Sequence, residues 1–528
     1  MALQVYLIAL STLVLLAAVR LYQYSKLSTR PVGYPPGPKT RPFLGNLHQI
    51  PISHPEFKLA DFARQFGGIV GLKFGNQNVV VLSQWKAVWD LVELRGAKYS
   101  SRPSIPPADI VAPKGEHPAL NVYGDMWRQQ RKLLMEFLGR EPTEKMKPLQ
   151  DAESTQMIYD LMHAPELFEK HVNRSFGSVI LASVYGKRGE TMAPGSSLDT
   201  FYTVMERWTN SVGQTSYPPL KSFPFLAAVP DWLTPWQGWK SQALYVRDAQ
   251  EKVYGGLVKE ARADILRGKR SGCFLATVLK THAKEHFNDK FLFHLTGVLL
   301  EGGAETSAAS TLIFIMAMAQ FPHMLAKAQE EVDRVCGGAS RMPSRDDMAN
   351  LPYITACMLE VLRWRPIAPL GIAHNTTADD SYGSYTIPND TDVIINVWSI
   401  NHDESFYDDP HMFDPDRYMR DALGRSPRAM AQDVRHRKIN YTFGAGRRVC
   451  PGQKFAENSM MMHFAKLVWA FDMKPTGRLP WDHWHGWTEG LVTKPVDLKV
   501  KLDLRSDRRE AIESARAQAD AFWSQFEH

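Results

Sequence analysis

The chain has 528 residues, of which 44% are hydrophobic and 22% charged, and its formal net charge at pH 7 is +6. This composition is typical of a globular protein with ample material for a core, and it argues against a disordered chain. The mild positive charge is spread along the sequence, so nucleic acid is not an expected partner. Four cysteines without a C-x-x-C pair argue against a disulfide framework and a structural zinc site.

The N-terminus begins with an apolar run. Residues 2–22 contain few polar side chains and reach the roughly 20 residues that span a bilayer. A secretory signal is the alternative, but it would place basic residues before the run and a cleavage site after it. Here the first basic residues follow the run, at Arg20, Lys26 and Arg30. We therefore expect residues 1–22 to be a retained transmembrane anchor with the rest of the chain in the cytosol.

The remainder is expected to form one large domain. Residues 23–46 are basic and proline-rich, which predicts a stiff, extended linker. No long break or repeat interrupts residues 47–505, and residues 506–528 resemble an appended surface helix without an assigned function. Within the domain, 69–74 and 78–83 alternate like the two strands of a hairpin.

Helical spacing dominates the rest of the domain. Two further strands are predicted at 384–387 and 391–400. Apolar residues recur at helical intervals in the segments 127–138, 291–320, 325–335, 353–364 and 453–471. The expected fold is therefore mainly α with a small β region built from distant segments.

The centre of the longest predicted helix is unusual. It reads GGAET, and each glycine of the pair costs about 1 kcal/mol in a helix relative to alanine. This cost suggests that another group lies against the backbone or that the helix bends. Glu305 and Thr306 place polar groups at the same point. Close helix packing, with Thr306 bonded back to a carbonyl, is the alternative.

Two helical pairs are candidates for binding or support. Trp127 and Arg131 share a helix face and suit a carboxylate or phosphate, although an amphipathic surface helix would have the same spacing. Glu360 and Arg363 also share a face, and Arg417 follows later in the sequence. A solvated ion pair is the alternative for this second group.

The stretch FGAGRRVCPG, residues 443–452, holds Cys450 among small residues and arginines. Arginines and a following helix N-terminus favour a thiolate, and small residues permit the close approach of a bulky partner. That partner could be a metal, a cofactor or a substrate carbonyl. No P-loop, complete dinucleotide fingerprint, G-x-S-x-G or H-E-x-x-H motif occurs.

Taken together, these segments resemble the cytochrome P-450 superfamily of haem-thiolate monooxygenases over nearly the whole chain. FGAGRRVCPG matches F-x-x-G-x-R-x-C-x-G, and Glu360 with Arg363 matches the family's E-x-x-R. FDPDRY, GGAET and YGDMWRQQRK resemble three further family segments.

The resemblance implies a role for each of these residues. Cys450 would ligate haem iron as a thiolate, with Phe443 near the proximal face and Gly446 and Gly452 allowing close approach. The residues expected to contact the haem propionates are Trp127, Arg131, His374 and Arg448. Those expected to support the cysteine loop as a buried ion network are Glu360, Arg363 and Arg417. On the distal side, those expected to open a groove for dioxygen and to deliver protons are Gly302, Gly303, Glu305 and Thr306.

The implied activity is insertion of one oxygen atom from O2 into a bulky lipophilic substrate. Electrons would come from an NADPH-dependent flavoprotein reductase, with cytochrome b5 as a further donor, at the endoplasmic reticulum membrane. The narrower resemblance is to enzymes of fungal secondary metabolism. A haem-thiolate isomerase or dehydratase and a non-catalytic haem sensor are the alternatives. The retained Thr306 argues against the first, and the lack of a segment left over for a signalling domain argues against the second.

The resemblance also suggests three surfaces. The basic residues expected to dock the reductase are Arg435, Arg437, Lys438, Arg447, Lys454, Arg128 and Lys132. The aromatic- and proline-rich segment 216–236 would dip into the membrane interface or connect two helices. The apolar residues expected to line the substrate pocket are Ile105, Val111, Leu299, Leu370 and Ile372.

Overall fold

The computed structural model of the protein describes residues 2–213, 216–270, 272–285, 287–480 and 484–526. The α-helices are α1 Ala2–Leu27, α2 Pro55–Phe66, α3 Trp85–Ala87, α4 Gly96–Tyr99, α5 Pro106–Val111, α6 Asp125–Leu138, α7 Arg140–Lys145, α8 Lys147–His163, α9 Phe168–Tyr185, α10 Ser197–Ser211, α11 Trp239–Leu266, α12 Phe274–Thr281, α13 Asp289–Gln320, α14 Pro322–Cys336, α15 Pro352–Trp364, α16 Val397–Asn401, α17 Asp416–Arg420, α18 Gln453–Ala470 and α19 Arg509–Phe526. The strands are β1 Ile69–Phe74, β2 Gln77–Leu82, β3 His374–Asn375, β4 Asp380–Tyr382, β5 Tyr385–Ile387, β6 Asp392–Ile395, β7 Phe471–Pro475 and β8 Val500–Leu504. The predicted mainly α fold with a small β region is confirmed.

The helix α13 runs through the centre of the molecule. The side-chain oxygen of Asn288 caps its first turn by accepting a hydrogen bond from the N–H of Phe291 at 2.8 Å. Its sides are apolar almost all round, which is typical of a helix surrounded by protein. It packs against α9, α11 and α18. By length and composition α13 could cross a membrane, but 72% of its most apolar stretch is buried inside the protein. It is therefore the core helix.

A four-stranded sheet lies beside the helices in the order β1-β2-β6-β3. β1 and β2 form the predicted antiparallel hairpin, with Ile69 opposite Leu82, and Gly75 adopts a φ of 58° at the turn. β6 joins β2 in parallel and β3 in antiparallel orientation. A two-residue loop cannot join parallel strands, so β2 and β6 come from distant parts of the chain.

The predicted strand 391–400 is only half correct. β6 ends at Ile395, and the following residues form α16. The reason is Asn396, whose side-chain oxygen accepts a hydrogen bond from the N–H of Ser399 at 3.1 Å and thereby caps a helix. The apolar residues after Asn396 are compatible with a helix as well as with a strand, and the helix cap formed by Asn396 favours the helix.

The proline-rich segment before the domain lies along the sheet. The carbonyl of Pro36 accepts a hydrogen bond from Gly71 at 2.8 Å, and that of Gly33 accepts one from Thr386 at 2.8 Å. Tyr34 is buried, and its hydroxyl donates to the carbonyl of Val79 at 2.9 Å. The segment expected to be an extended linker is thus fastened to the domain. The preceding helix α1 continues past residue 22, the predicted end of the anchor. None of its most apolar stretch is buried against the rest of the protein.

The C-terminal helix α19 packs against α8. Ile512, Ala519 and Trp523 are buried, and the Arg188 guanidinium lies 4.4 Å from the centre of the Trp523 ring. The segment expected to be an appended surface helix therefore contributes to the core.

Candidate active site

The cysteine loop, residues 443–452, is a tight turn that precedes α18. The N–H of Cys450 donates to the carbonyl of Phe443 at 2.8 Å. Gly446 adopts a φ of 64°, and a Cβ added there would lie 2.4 Å from the carbonyl oxygen of Val92. Only glycine combines this left-handed conformation with such a close approach. The close neighbour of Gly446 is thus the segment before α4, which holds the loop in place.

The thiol of Cys450 lies in a recess. It is exposed, while Cys273, Cys336 and Cys357 are buried. Surrounding protein atoms nevertheless bury the sulfur and raise the pKa of Cys450, although the Gly452 N–H and the charge of Arg131 act in the opposite direction. An accessible sulfur enclosed by protein is suited to binding a group that fills the recess.

The expectation that the preceding arginines favour a thiolate is wrong for the chain on its own. The guanidinium of Arg448 donates to the carbonyls of Ser100 at 2.8 Å and Asn121 at 2.6 Å. Arg447 donates to the hydroxyl of Tyr123. Both side chains therefore turn away from Cys450, although they are its near neighbours in sequence.

A cluster of cationic side chains lies beside the loop. Arg131 donates to the carbonyl of Val449 at 2.7 Å, and the Arg448 guanidinium lies 4.3 Å from the centre of the Trp127 ring. Burial, followed by the charges of Arg102 and Arg131, lowers the pKa of Arg448 to about 8. These mutual effects place the three arginines close together.

His374 belongs to the same cluster. Its ring nitrogen Nδ1 lies 2.7 Å from the carbonyl of Tyr99. Burial, together with the charges of Arg102 and Arg448, lowers its pKa to about 3, so this imidazole is neutral near pH 7. The tertiary structure thus brings together all four residues that the sequence predicts for a common anion, namely Trp127, Arg131, His374 and Arg448.

Arg102 is a member of the cluster that sequence reasoning missed. It is buried and donates to the carbonyls of Ile372 at 2.5 Å and Ala373 at 2.8 Å. Arg102 lies between Ser101 and Pro103 and belongs to no recognisable motif, so nothing in the sequence was a reason to select it.

The cluster fits a dianionic partner. Among the described residues, the side chains of Arg102, Arg131 and Arg448 donate to main-chain carbonyls and form no ion pair with a carboxylate. Burying positive charges together without a counter-charge is unfavourable, so an anion is expected to complete the site. A haem carries two propionates and an iron that accepts a thiolate. The recess at Cys450 and the neighbouring cations therefore fit the haem that the sequence predicts.

The predicted ion network is present and buried. Two nitrogens of Arg363 donate to the two carboxylate oxygens of Glu360, each at 2.7 Å, and Arg417 lies 3.2 Å from the same carboxylate. All three side chains are at most 3% exposed. Although burial opposes it, the Glu360 charge raises the pKa of Arg363. The i, i+3 pair is thus a bidentate interior contact, not a solvated one.

The network connects to the cysteine loop through α15. Arg363 also donates to the carbonyl of Pro410 at 2.7 Å, and the N–H of Asp414 donates to Glu360 at 2.8 Å. One residue before Arg363, the carbonyl of Leu362 accepts a hydrogen bond from the hydroxyl of Thr442 at 2.7 Å. Thr442 directly precedes the loop, so a single hydrogen bond joins the loop to the residue next to Arg363.

The glycine pair of α13 has two different roles. A Cβ added at Gly302 would meet nothing within 4 Å, and this residue is exposed although the helix is buried around it. A Cβ at Gly303 would lie 2.4 Å from Ile180 of α9. The sequence leads us to expect that both glycines open a groove. The free space beside Gly302 agrees with this expectation, whereas Gly303 allows α13 to pack closely against α9.

Glu305 and Thr306 lie on α13 one helical turn after Gly302. The hydroxyl of Thr306 donates to the carbonyl of Gly302 at 2.6 Å, as the packing alternative expects. Glu305 pairs with Lys494 at 3.3 Å. Lys494 belongs to a loop near the C-terminus and carried no signal in the sequence.

A second polar group on α13 was also missed. Oε2 of Glu301 lies 2.9 Å from Nε2 of His117, and Oε1 accepts hydrogen bonds from Tyr254 at 2.8 Å and Gln250 at 3.2 Å. All four residues are buried. A glutamate inside an apolar helix was the available signal, because a buried carboxylate requires partners.

The predicted basic docking surface is wrong in part. Arg437 is buried, its guanidinium lies 3.6 Å from the centre of the Phe406 ring, and it donates to the hydroxyl of Tyr407 at 3.1 Å. Lys438 pairs with Glu93 at 2.7 Å. Arginine stacks well on aromatic rings, and this segment uses that property inside the protein.

The other basic residues of that prediction remain at the surface. Arg435 is exposed and pairs with Asp433 at 2.8 Å. Arg128 and Arg447 are exposed, and their guanidinium groups lie 5.5 Å and 5.4 Å from the centre of the same ring, Tyr123. Two further exposed members are Lys132 and Lys454. We call Arg128, Tyr123, Arg447, Lys132 and Lys454 the basic surface.

Comparison with known proteins identifies the family. The family model described as Cytochrome P450 matches residues 35–502. A cytochrome P450 monooxygenase of Arthrobotrys oligospora is 35% identical over 490 residues, which cover 90% of each chain. The cytochrome P450 monooxygenase atE of Aspergillus terreus is 32% identical over 525 residues, covering 98% of this chain and 96% of the relative. The match thus extends well beyond the cysteine loop, and the chain belongs to the cytochrome P450 family of oxygen-incorporating monooxygenases.

Proposed function

We propose that this protein is a membrane-anchored haem-thiolate monooxygenase that oxidises a bulky lipophilic metabolite. The observation that carries the proposal is the recess at Cys450. An accessible sulfur lies beside buried arginines that have no carboxylate partner among the described residues. This combination suits a metal-bearing group with acidic side arms.

In this proposal Cys450 is the proximal iron ligand, and Arg102, Arg131 and Arg448 neutralise the propionates. Trp127 and His374 complete that binding surface, and Phe443 packs beside the proximal face. When bound, the haem supplies dioxygen activation, which thiolate ligation favours. Burial raises the pKa of the thiol, and the N–H of Gly452 and the charge of Arg131 oppose that rise.

The proposed proton pathway lies on α13. The hydroxyl of Thr306 donates to Gly302, which leaves its oxygen lone pairs able to accept a hydrogen bond in the open space beside that glycine. Glu305 supplies a carboxyl group next to it. Transfer of protons by a positioned side chain is general acid catalysis, and both groups are placed in one helical turn. Gly303 remains the proposed backbone contact with the cofactor.

The proposed substrate is lipophilic. Val111 and Leu299 are buried in one apolar cluster, against which Ile105 packs. Leu370 packs against a second cluster beside the sheet. The two carboxylates of α13, Glu301 and Glu305, are negatively charged when ionised and would not bind a small anionic substrate. The relatives are fungal monooxygenases, which supports a role in fungal secondary metabolism.

The proposed electron donor is an NADPH-dependent flavoprotein reductase, with cytochrome b5 as a further donor. The basic surface carries four cations, and Arg131, on the same helix as Arg128 and Lys132, binds the loop that holds Cys450. Complementary charge on an acidic flavoprotein would speed its association there.

The proposed membrane attachment, at the endoplasmic reticulum, has two parts. Residues 1–22 form the anchor, and residues 2–22 of it lie within α1. The segment 216–236 exposes Phe225, Trp232 and Leu233, side chains suited to a lipid interface. The Tyr24 ring centre at the end of α1 lies 5.9 Å from that of Phe223 in this segment. We propose that 47–505 form the catalytic domain, that 23–46 pack against it, and that α19 of the segment 506–528 contributes to its core.

The test is oxygen incorporation. The full-length protein, reconstituted with a flavoprotein reductase and NADPH, is supplied with 18O2 and a library of terpenoid, polyketide and alkaloid scaffolds. We expect a product that contains one 18O atom, formed only from compounds that perturb the haem absorption spectrum. Turnover of a substrate without O2 would instead favour the isomerase or dehydratase alternative.

A further inference from the structure

We propose that Lys494 is a positioning residue for the carboxyl group of Glu305 and so determines how efficiently electrons are converted into product. The inference deepens the proposed function, because it rests on Glu305 and Thr306 being the proton-delivering pair. It assigns a role to a loop residue that has no counterpart among the predicted site residues.

The contact between the two residues is direct. Nζ of Lys494 lies 3.3 Å from Oε1 of Glu305. The Glu305 side chain is 13% exposed and the Lys494 side chain 35%, so the lysine reaches from the surface towards a carboxylate inside the protein. A partly buried pair is less screened by water and salt than a surface pair.

The two oxygens of Glu305 differ as a result. Oε1 is held by Lys494, whereas Oε2 is buried and has no hydrogen-bond partner among the described residues. A buried carboxylate oxygen without a partner is unfavourable unless it serves a purpose. By fixing one oxygen, Lys494 restricts the rotation of the carboxyl group and leaves the other oxygen available for a proton.

The loop around Lys494 is itself ordered by hydrogen bonds. The N–H of Thr488 donates to the carbonyl of Lys494 at 2.9 Å, and the N–H of Lys494 donates to the hydroxyl oxygen of Thr488 at 3.0 Å. The neighbouring N–H of Thr493 donates to the carbonyl of Ile367 at 2.7 Å. These hydrogen bonds fix the backbone of Lys494 relative to the segment after α15, so the side chain that reaches Glu305 starts from an ordered main chain.

Within the described part of the chain, one other titratable side chain interacts with the Glu305 carboxylate. This side chain is Tyr202 of α10, whose pKa is raised by burial and by the charge of Glu305. The hydroxyl of Tyr202 donates to the carbonyl of Asn173 at 2.8 Å, so it is directed elsewhere. Among the described residues, Lys494 is the only cation within ion-pair distance of Glu305.

The test compares three lysine variants in the full-length, haem-loaded enzyme with its reductase. We expect Lys494→Met to raise hydrogen peroxide formed per NADPH about fivefold, corresponding to about 1 kcal/mol. Substrate affinity, measured from the spectral titration, should remain unchanged. Lys494→Arg should restore the parent ratio because it keeps the charge. Lys499→Met is the matched control, since Lys499 forms an exposed pair with Asp497 nearby.

A second measurement does not depend on activity. The unfolding midpoints of Lys494→Met, Glu305→Gln and the double variant form a thermodynamic cycle. We expect the double variant to be less destabilised than the sum of the single variants, because the pair is lost only once. Additive effects would mean that the ion pair does not form and would overturn the inference.

Failure of the inference and failure of the proposed function give different results. If Glu305→Gln and Thr306→Ala uncouple the enzyme while Lys494→Met does not, the pair delivers protons without help from Lys494. If none of the three variants changes peroxide formation, the proposed role of Glu305 and Thr306 is itself wrong. If Lys494→Arg behaves like Lys494→Met, the effect of the lysine is not its charge, and the positioning role is overturned.

Discussion

The N–H of Cys450 donates a hydrogen bond to the carbonyl oxygen of Phe443 at 2.8 Å. This bond closes the cysteine loop between its first residue and its thiol-bearing residue. The backbone of Gly446, between them, lies against Val92, so the loop is held at its ends and at its middle. Main-chain contacts therefore help to hold the sulfur in place, in addition to the hydrogen bonds that Arg448 forms with a neighbouring segment.

Cys450 is expected to be the iron ligand. In Cys450→Ala, the red-shifted Soret band of the reduced CO complex should disappear, because that band requires thiolate ligation. Cys336→Ala, which changes a buried thiol of α14, should retain it. The measurement is the CO difference spectrum of each purified variant, and a persisting band in Cys450→Ala would refute the assignment.

Thr306 is expected to couple NADPH use to product. Thr306→Ala should bind haem and consume NADPH but form less product and several-fold more peroxide, since a positioned hydroxyl would be lost. Thr311→Ala is a matched control, because Thr311 makes the same bond to a carbonyl one turn back, at 2.9 Å, but is fully buried. Equal coupling in the two variants would remove Thr306 from the mechanism.

The buried ion network is expected to be required for stability. Arg363→Ala would leave Glu360 without its bidentate partner, and breaking a buried pair of this kind costs about 3–5 kcal/mol. Arg420→Ala, which removes a mostly exposed partner of Asp414, should cost less than about 1 kcal/mol. Chemical unfolding followed by tryptophan fluorescence measures both. Similar small losses would show that the network is not needed.

The basic surface is expected to bind the reductase. Changing Arg128, Arg447 and Lys454 together to Glu should slow reduction at low salt, and the parent rate should itself fall steeply as salt rises. The CO spectrum and substrate titration should not change. Arg435→Glu serves as the control, because Arg435 is an exposed arginine that does not belong to the basic surface. Stopped-flow reduction at several salt concentrations checks this, and an unchanged rate in the triple variant would place docking elsewhere.

Acid is expected to destabilise the protein through buried neutral histidines. Burial lowers the pKa of His463 from 6.5 to about 3, so the unfolded chain binds an additional proton between these values. The contribution of the neutral His463 side chain to the free energy of unfolding is fully present above about pH 6.5 and decreases as the pH falls towards 3. His463→Gln should therefore show a smaller loss of unfolding midpoint between pH 7.5 and 5 than the parent. His323→Gln, at an exposed position, should follow the parent. Parallel curves for all three proteins would contradict this.

Several features could be predicted because they depend on neighbouring residues. The hairpin of β1 and β2 follows from alternation and a short turn, and α13 follows from helical spacing over a long segment. The cysteine loop and the Glu360–Arg363 pair could be recognised as motifs, since their parts lie within ten residues of one another. Where a local rule competed with another, as at Asn396, the side-chain cap decided the outcome.

What the sequence by itself determined is the family, the mainly α fold and the set of residues around Cys450. Only the tertiary structure decided which partners these residues meet. Arg437 is buried and stacks on an aromatic ring, and Gly303 allows two helices to pack closely. Arg102 lies in the arginine cluster, and Lys494 contacts Glu305. The physical reason is that charge, burial and hydrogen bonding act between groups close in space. Segments that are distant in the chain meet only when the sheet and α13 have packed, and no local pattern encodes those contacts.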